Sequence, residues 1–308
     1  MSKQTKIVLS VFLSFFIAIF FGFIMIGFFT SEYMINARNN GYQTDGIVTQ
    51  KILVQKEWMQ ENSTRVQMTN RSGLSLNAYK IMQATPTNKW LIAMHGYRGE
   101  AFQVSDYGLN FYKAGFNVLL PDQRGEGYSE GDWIGMGHFE QYDLIDWIDY
   151  IVELNPNAQI ALFGVSMGAA TVMLATGHDL PSNVKVAIED CGYTSIDAQL
   201  TNIFINYVHI NPYPANIFAD LFFRIRAGYS LYDGDTTKAV SNSHTPTFFI
   251  HGSEDTFVPY PMVDVLYENC SAPKEKLIIE GAQHACSSSY NPDLYWEKVL
   301  AFVNKYIP

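Results

Sequence analysis

The chain has 308 residues, 48% of them hydrophobic and 16% charged, which excludes a disordered chain and leaves material for a large core. Its formal net charge of −10, with no basic run, excludes a phosphate-binding surface, so no nucleic-acid partner is expected. Cys191, Cys270 and Cys286 stand far apart without C-x-x-C spacing, and no H-E-x-x-H occurs. Neither a disulfide framework nor a metal or other cofactor is therefore expected.

Ile7 to Phe29 runs without a charge. As a helix rising about 1.5 Å per residue it spans about 34 Å, enough to cross a hydrocarbon core about 30 Å thick. A cleaved signal peptide is the rival reading, because Lys3 and Lys6 supply a positive start. Its apolar stretch is normally about 7–15 residues and ends at a small-x-small site. Here the run ends Gly27-Phe28-Phe29-Thr30 instead. Residues 1–30 are read as a membrane anchor, touching the bilayer through residues 7–29. Lys3 and Lys6 precede the span, and Glu32, Arg38 and Asp45 follow it. Positive flanks normally stay cytoplasmic, so the remainder is expected on the outer side of the cell membrane.

Residues 31–62 read as a connector with some helical character, and 63–308 as the globular domain. Arg65–Thr69 and Leu74–Met82, joined by Asn70-Arg71-Ser72-Gly73, predict a hairpin. Short apolar runs follow at Trp90–Met94, Phe116–Leu120, Gln159–Phe163, Val184–Ile188, Thr247–Ile250 and Lys276–Ile279. Helix-length stretches separate them, among them Phe139–Leu154, with apolar residues at i, i+3, i+4 and i+7, and a final helix opening at Asn291-Pro292. This alternation predicts an α/β fold: a mostly parallel, doubly wound sheet covered on both faces. The interval between Val184–Ile188 and Thr247–Ile250 is too long for a structureless loop. Residues 195–233, crowded with Ile203, Phe204, Ile205, Tyr207, Ile217, Phe218, Leu221, Phe222 and Phe223, are read as a helical lid over the sheet's C-terminal edge.

The chemistry centres on Gly164-Val165-Ser166-Met167-Gly168, a G-x-S-x-G turn between a predicted strand and the Ala-rich stretch Ala169–Thr176. A serine hydroxyl needs a base within hydrogen-bond reach, itself held by an acid. Asp255, in the loop after Thr247–Ile250, and His284, after the last strand, follow Ser166 in the order this architecture uses. Both sit at strand C-terminal ends, where open parallel sheets place their sites. Glu189 and Asp190, ending the strand before the lid, are the second choice of acid. Donors for an oxyanion are expected from the backbone N–H groups of Met167 and Tyr97, the latter in the loop His95-Gly96-Tyr97-Arg98-Gly99. His95 is read as a structural loop residue and Cys286 as a packed one.

The strings HGYRG, PDQRGEGYSEGD (Pro121–Asp132), GVSMG, HGSEDTFVP and GAQH resemble the α/β-hydrolase superfamily. The likeness is greatest to its serine aminopeptidase and monoglyceride-lipase-like branch, including membrane-anchored bacterial members, and runs from Trp90 to the C-terminus. It implies an ester or amide hydrolase working without metal or organic cofactor, with Asp122, Arg124 and Gly125 in a structural turn. The expected substrate is a small-molecule ester with an apolar acyl group. A serine aminopeptidase, for which Glu100 or Glu189 would have to hold the substrate amine, is the first alternative. A catalytically inactive receptor of the same fold is the second.

Overall fold

The structure, a computed structural model, describes residues 2–37, 50–209 and 211–308; residues 38–49 of the expected connector lie outside the described residues. Two helices come first, α1 (Lys3–Ile35) and α2 (Gln50–Asn62). The hairpin β1 (Thr64–Thr69) and β2 (Ser75–Ile81) leads into β3 (Lys89–Met94), α3 (Ser105–Lys113), β4 (Asn117–Pro121) and α4 (Glu140–Leu154). Then come β5 (Gln159–Val165), α5 (Met167–Thr176) and β6 (Val184–Asp190). The long interval holds α6 (Ile196–Ile203), a π-turn (Phe204–Val208), α7 (Ala215–Arg226) and α8 (Thr236–Asn242). The chain closes with β7 (Thr247–Gly252), α9 (Pro261–Asn269), β8 (Lys274–Ile279), α10 (Ser287–Tyr290) and α11 (Pro292–Asn304).

The eight strands form one sheet in the order β1-β2-β4-β3-β5-β6-β7-β8. β1 and β2 pair antiparallel at one edge, β2 meets β4 antiparallel, and the rest run parallel. The inner strands read as continuous apolar runs because helices cover both of their faces. On one face Phe111 of α3 and Tyr295 and Phe302 of α11 pack over Phe163 and Phe248. On the other, Leu144, Trp147 and Ile151 of α4 and Val172 of α5 pack over Trp90, Ile92 and Leu162. Every strand expected from the sequence is present, with ends moved by a residue or two, as fraying termini usually are.

A buried ion pair ties the hairpin to this frame. The Arg124 guanidinium donates to both carboxylate oxygens of Asp143 on α4 at 2.6 Å, and Asn70 of the β1–β2 turn donates to the same group at 2.5 Å. Asp122 likewise accepts from Asn77 and from the Ala101 and Tyr128 amides. The Pro121–Asp132 string is thus a polar junction beneath the sheet's C-terminal edge.

The helix α1 continues unbroken past residue 30 to Ile35, whose side chain is fully buried. Its last turns join the globular domain: Tyr97 Oη donates to the carbonyls of Tyr33 and Met34, and the Ile134 amide donates to Ile35. α1 is long and apolar enough to cross a membrane.

Candidate active site

Ser166 stands between β5 and α5 at φ 57° and ψ −117°, a backbone conformation that strains a residue with a Cβ. The strain lifts its hydroxyl above the sheet edge, and the two glycines make the turn possible. A Cβ on Gly164 would lie 2.1 Å from the Gly168 carbonyl oxygen, and one on Gly168 would lie 2.2 Å from that of Met94. No larger residue fits either position.

The structure brings Ser166, His284 and Asp255 together. His284 Nε2 lies 2.9 Å from Ser166 Oγ, and His284 Nδ1 lies 2.7 Å from Asp255 Oδ2. The second Asp255 oxygen accepts the amides of Phe257 at 3.0 Å and Val258 at 2.9 Å. Burial alone would raise the Asp255 pKa, but hydrogen bonds from His251, His284 and the Val258 amide outweigh it and bring it down to about 2. The carboxylate therefore stays ionised over the whole working range, and an acid limb in a pH–rate profile above about pH 4 must belong to another group.

His251 was not anticipated. It is buried beneath Asp255, with Nε2 at 2.9 Å from the Val258 carbonyl and 3.3 Å from Asp255 Oδ2. Its place in His251-Gly252-Ser253-Glu254-Asp255 was legible, four residues before the acid, but nothing in the spacing says that the ring turns inward.

The second-choice acids point elsewhere. Asp190 Oδ2 accepts the Tyr295 hydroxyl at 2.8 Å, and Glu189 Oε2 accepts the Gly192 amide at 2.9 Å. Burial pushes Glu189 up to about 8 and Asp190 up to about 6. For Glu189 the folded state holds a proton that the unfolded chain releases from about pH 4.5, so stability falls as pH rises toward 8. The slope from this one group is at most about 1.4 kcal/mol per pH unit. Glu189→Gln should flatten that decline, read as melting temperature from about pH 5 to 8; an equal decline in both proteins would refute the assignment.

The two expected oxyanion donors lie on the segments that flank Ser166. A Cβ on Gly96 would sit 3.5 Å from Ser166 Cβ, so the His95–Gly99 loop passes directly beside the nucleophile. Met167 opens α5, whose N-terminal end carries partial positive charge. Among the described residues, neither the Tyr97 nor the Met167 amide has a backbone acceptor. His95 is buried in the loop, with Nδ1 at 2.8 Å from the Gly96 carbonyl and Nε2 accepting the Gln123 amide at 3.0 Å.

Two cavities meet at Ser166. The larger, about 810 Å³, is apolar and runs under the lid, bounded by Leu200, Ile203, Phe204 and Tyr207, by Phe257, and by the end of α1. The smaller, about 370 Å³, includes His284, Val104, Tyr107 and Ala285. Among the described residues no carboxylate lines either cavity, and Glu100 and Glu189 reach neither. Of the lid residues expected to face substrate, Ile203, Phe204 and Tyr207 line the larger cavity. Phe218 and Phe222 instead meet Phe20 and Phe28 of α1, Phe223 is buried in the core, and Ile205, Ile217 and Leu221 face outward.

Cys191, Asp255 and His284 offer ligand-type atoms within 4.8 Å of one another. Burial, with Asp190 and Asp255 nearby, pushes the Cys191 thiol well above its ordinary pKa, which disfavours the thiolate that a metal requires. Cys286 is likewise raised by burial.

The chain resembles known proteins in sequence and in fold. A family model described as serine aminopeptidase, S33, matches residues 85–204. The chain is 28% identical over 233 residues to the uncharacterized protein YqkD of Bacillus subtilis, covering 75% of this chain and 76% of that one. It is 27% identical over 193 residues to the uncharacterized protein YfhR of Escherichia coli K12, covering 61% of this chain and 60% of that one. Among solved structures, Pyrococcus furiosus esterase Pf2001 superposes with a TM-score of 0.66 at 20% identity, covering 80% of this chain and 93% of that one. Est1E from Butyrivibrio proteoclasticus, solved with ferulic acid, gives 0.62 at 19%, covering 79% and 99%. Eight strands in this order, a strained serine at the turn into α5 and these superpositions lead to one assignment: the chain has the α/β-hydrolase fold, and its residues 85–204 match the serine aminopeptidase, S33, family model.

Proposed function

We propose that this protein is a membrane-anchored serine esterase that cleaves carboxylic esters with apolar acyl groups. The observation that carries the reading is the continuous hydrogen-bonded line Ser166–His284–Asp255, opening onto a large apolar cavity on one side and a small one on the other. His284 takes the Ser166 proton as Oγ attacks the ester carbonyl, and the Met167 and Tyr97 amides hold the resulting oxyanion. His284 then gives the proton to the leaving alkoxide, so the C–O bond breaks and an alcohol departs. Water, deprotonated by the same imidazole, attacks the acyl-enzyme and releases the acid and Ser166. Asp255 holds the imidazole tautomer throughout. Because His284 faces the smaller cavity, the alcohol belongs there and the acyl chain in the larger one.

The lining favours an ester over a peptide with a free amine. An aminopeptidase needs a carboxylate at the pocket for the substrate ammonium, and among the described residues the only charged side chain on the cavities' linings is Arg98. An inactive receptor would have no use for the strained Ser166 backbone or the aligned imidazole.

An uncleaved anchor is supported by packing. Gly27 lies against Phe218 and Ala219 so closely that a Cβ would sit 2.5 Å from Phe218 Cβ, and Glu32 pairs with Arg226 at 2.5 Å. Removal of the helix would strip one side of the large cavity. Lys3 and Lys6 ahead of the span favour a catalytic domain on the outer side of the cell membrane.

Acetyl, butyryl, hexanoyl and octanoyl p-nitrophenyl esters test the substrate class. Each buried methylene contributes about 0.8 kcal/mol, so kcat/KM should rise several-fold per two carbons until the cavity is full. A flat or falling series, with turnover of aminoacyl amides, would favour the peptidase instead.

A further inference from the structure

The anchor and the lid share more than a neighbourhood. Phe20 meets Phe218, Phe28 meets Phe222 and Glu32 meets Arg226, so α1 and α7 advance side by side in the same direction. With Phe218 packed against Gly27, the first turn of α7 lies level with the last turns of the uncharged run that ends at Phe29.

The composition and exposure of that segment match the position. Between Asp197 and Asp220 the sequence has no Asp, Glu, Lys or Arg. Ile205, Val208, Tyr213 and Ile217 are exposed there, more large apolar side chains than one short segment of a soluble surface usually shows. Phe218 and Phe222 of α7 pack on Phe20 and Phe28 of α1, and lipid covers the apolar outer faces of both helices without cost. Charge returns at Asp220, Arg224 and Arg226, on the part of α7 level with the end of the uncharged run.

The opposite face of α1 enters the site. Met25, Ile26, Phe29, Thr30 and Tyr33, spaced for one helical stripe, line the same cavity as Ser166. Met25 and Phe29 are largely exposed, so the cavity is open along the helix at the depth where the uncharged run meets the polar flank.

We infer that the end of the anchor helix is a wall of the acyl pocket, and that the lid dips into the same leaflet, so the substrate is an amphiphilic long-chain ester drawn sideways out of the bilayer. The inference rests on the serine-esterase reading and names its substrate class. In such an ester the carbonyl sits near the headgroup level, beside Ser166, while the chain never leaves an apolar surrounding. Desolvation, the usual obstacle to lifting a lipid into a protein, is thereby avoided.

The full-length protein in phosphatidylcholine vesicles allows the test, with ethyl and dodecyl fluorophosphonates as probes. In each, the Ser166 oxygen displaces fluoride from phosphorus as its proton passes to His284. Ile26→Trp fills the wall and should lower the dodecyl-to-ethyl ratio of labelling rates by about tenfold or more. Met25→Trp, on the same stripe, repeats the comparison should Ile26→Trp fold poorly. Unchanged ratios in both variants would overturn the wall while leaving the esterase reading intact. Labelling of Ser166 by neither probe would sink that reading and this inference with it. For the leaflet, Ile217→Trp should show quenching by brominated phosphatidylcholine beyond that of the unsubstituted protein. No extra quenching would place the lid outside the bilayer and overturn sideways entry.

Discussion

Ser166→Ala, His284→Ala and Asp255→Asn should each lower ester kcat by several orders of magnitude while far-UV circular dichroism and melting temperature stay close to the parent. The cause differs at each position. Without Oγ there is no acyl-enzyme; without the imidazole nothing accepts the proton; with Asn, the 2.7 Å contact to His284 Nδ1 no longer fixes the useful tautomer. Because the three act as one unit, the double variant Ser166→Ala/His284→Ala should be scarcely worse than either single one. Strict additivity of the losses would refute a shared pathway. Full activity in Asp255→Asn together with loss in Asp190→Asn would move the acid to the end of β6. The Tyr295 hydroxyl that Asp190 already accepts argues against that outcome.

Asp143→Ala should be among the most destabilising single substitutions in the chain, without touching the site. It removes the carboxylate that holds the Arg124 guanidinium, whose side chain is only 8% exposed. Breaking a buried pair in this way costs about 3–5 kcal/mol, because the remaining charge stays desolvated. In a domain of this size that corresponds to a drop in melting temperature of roughly 10 °C. The Asn70 side chain also loses an acceptor, so the β1–β2 turn should loosen first, visible as faster amide exchange in that hairpin. The double variant Arg124→Met/Asp143→Leu should recover much of the loss, since it removes both charges. A double variant as unstable as the single one would show that the geometry of the pair, rather than its charge, holds the junction.

Sequence alone determined the sheet, the turn at Ser166 and the order of its partners, because each rests on local chemistry. Apolar runs such as Trp90–Met94 and Gln159–Phe163 follow from strands buried on both faces, and the glycines at 164 and 168 follow from a turn that admits no Cβ. The choice among acids needed tertiary structure. Glu189, Asp190 and Asp255 all end or follow strands at the same sheet edge, and sequence position says nothing of side-chain direction. Packing decides it: Tyr295 and the Gly192 amide turn two of them away, and the Phe257 and Val258 amides aim the third at His284. The double role of α1 was equally out of reach. An uncharged run has the same composition on every face, so hydropathy cannot separate the stripe against α7 from the stripe lining the cavity. Gly27 was the one local sign, a residue without a side chain where two helices approach too closely for any other.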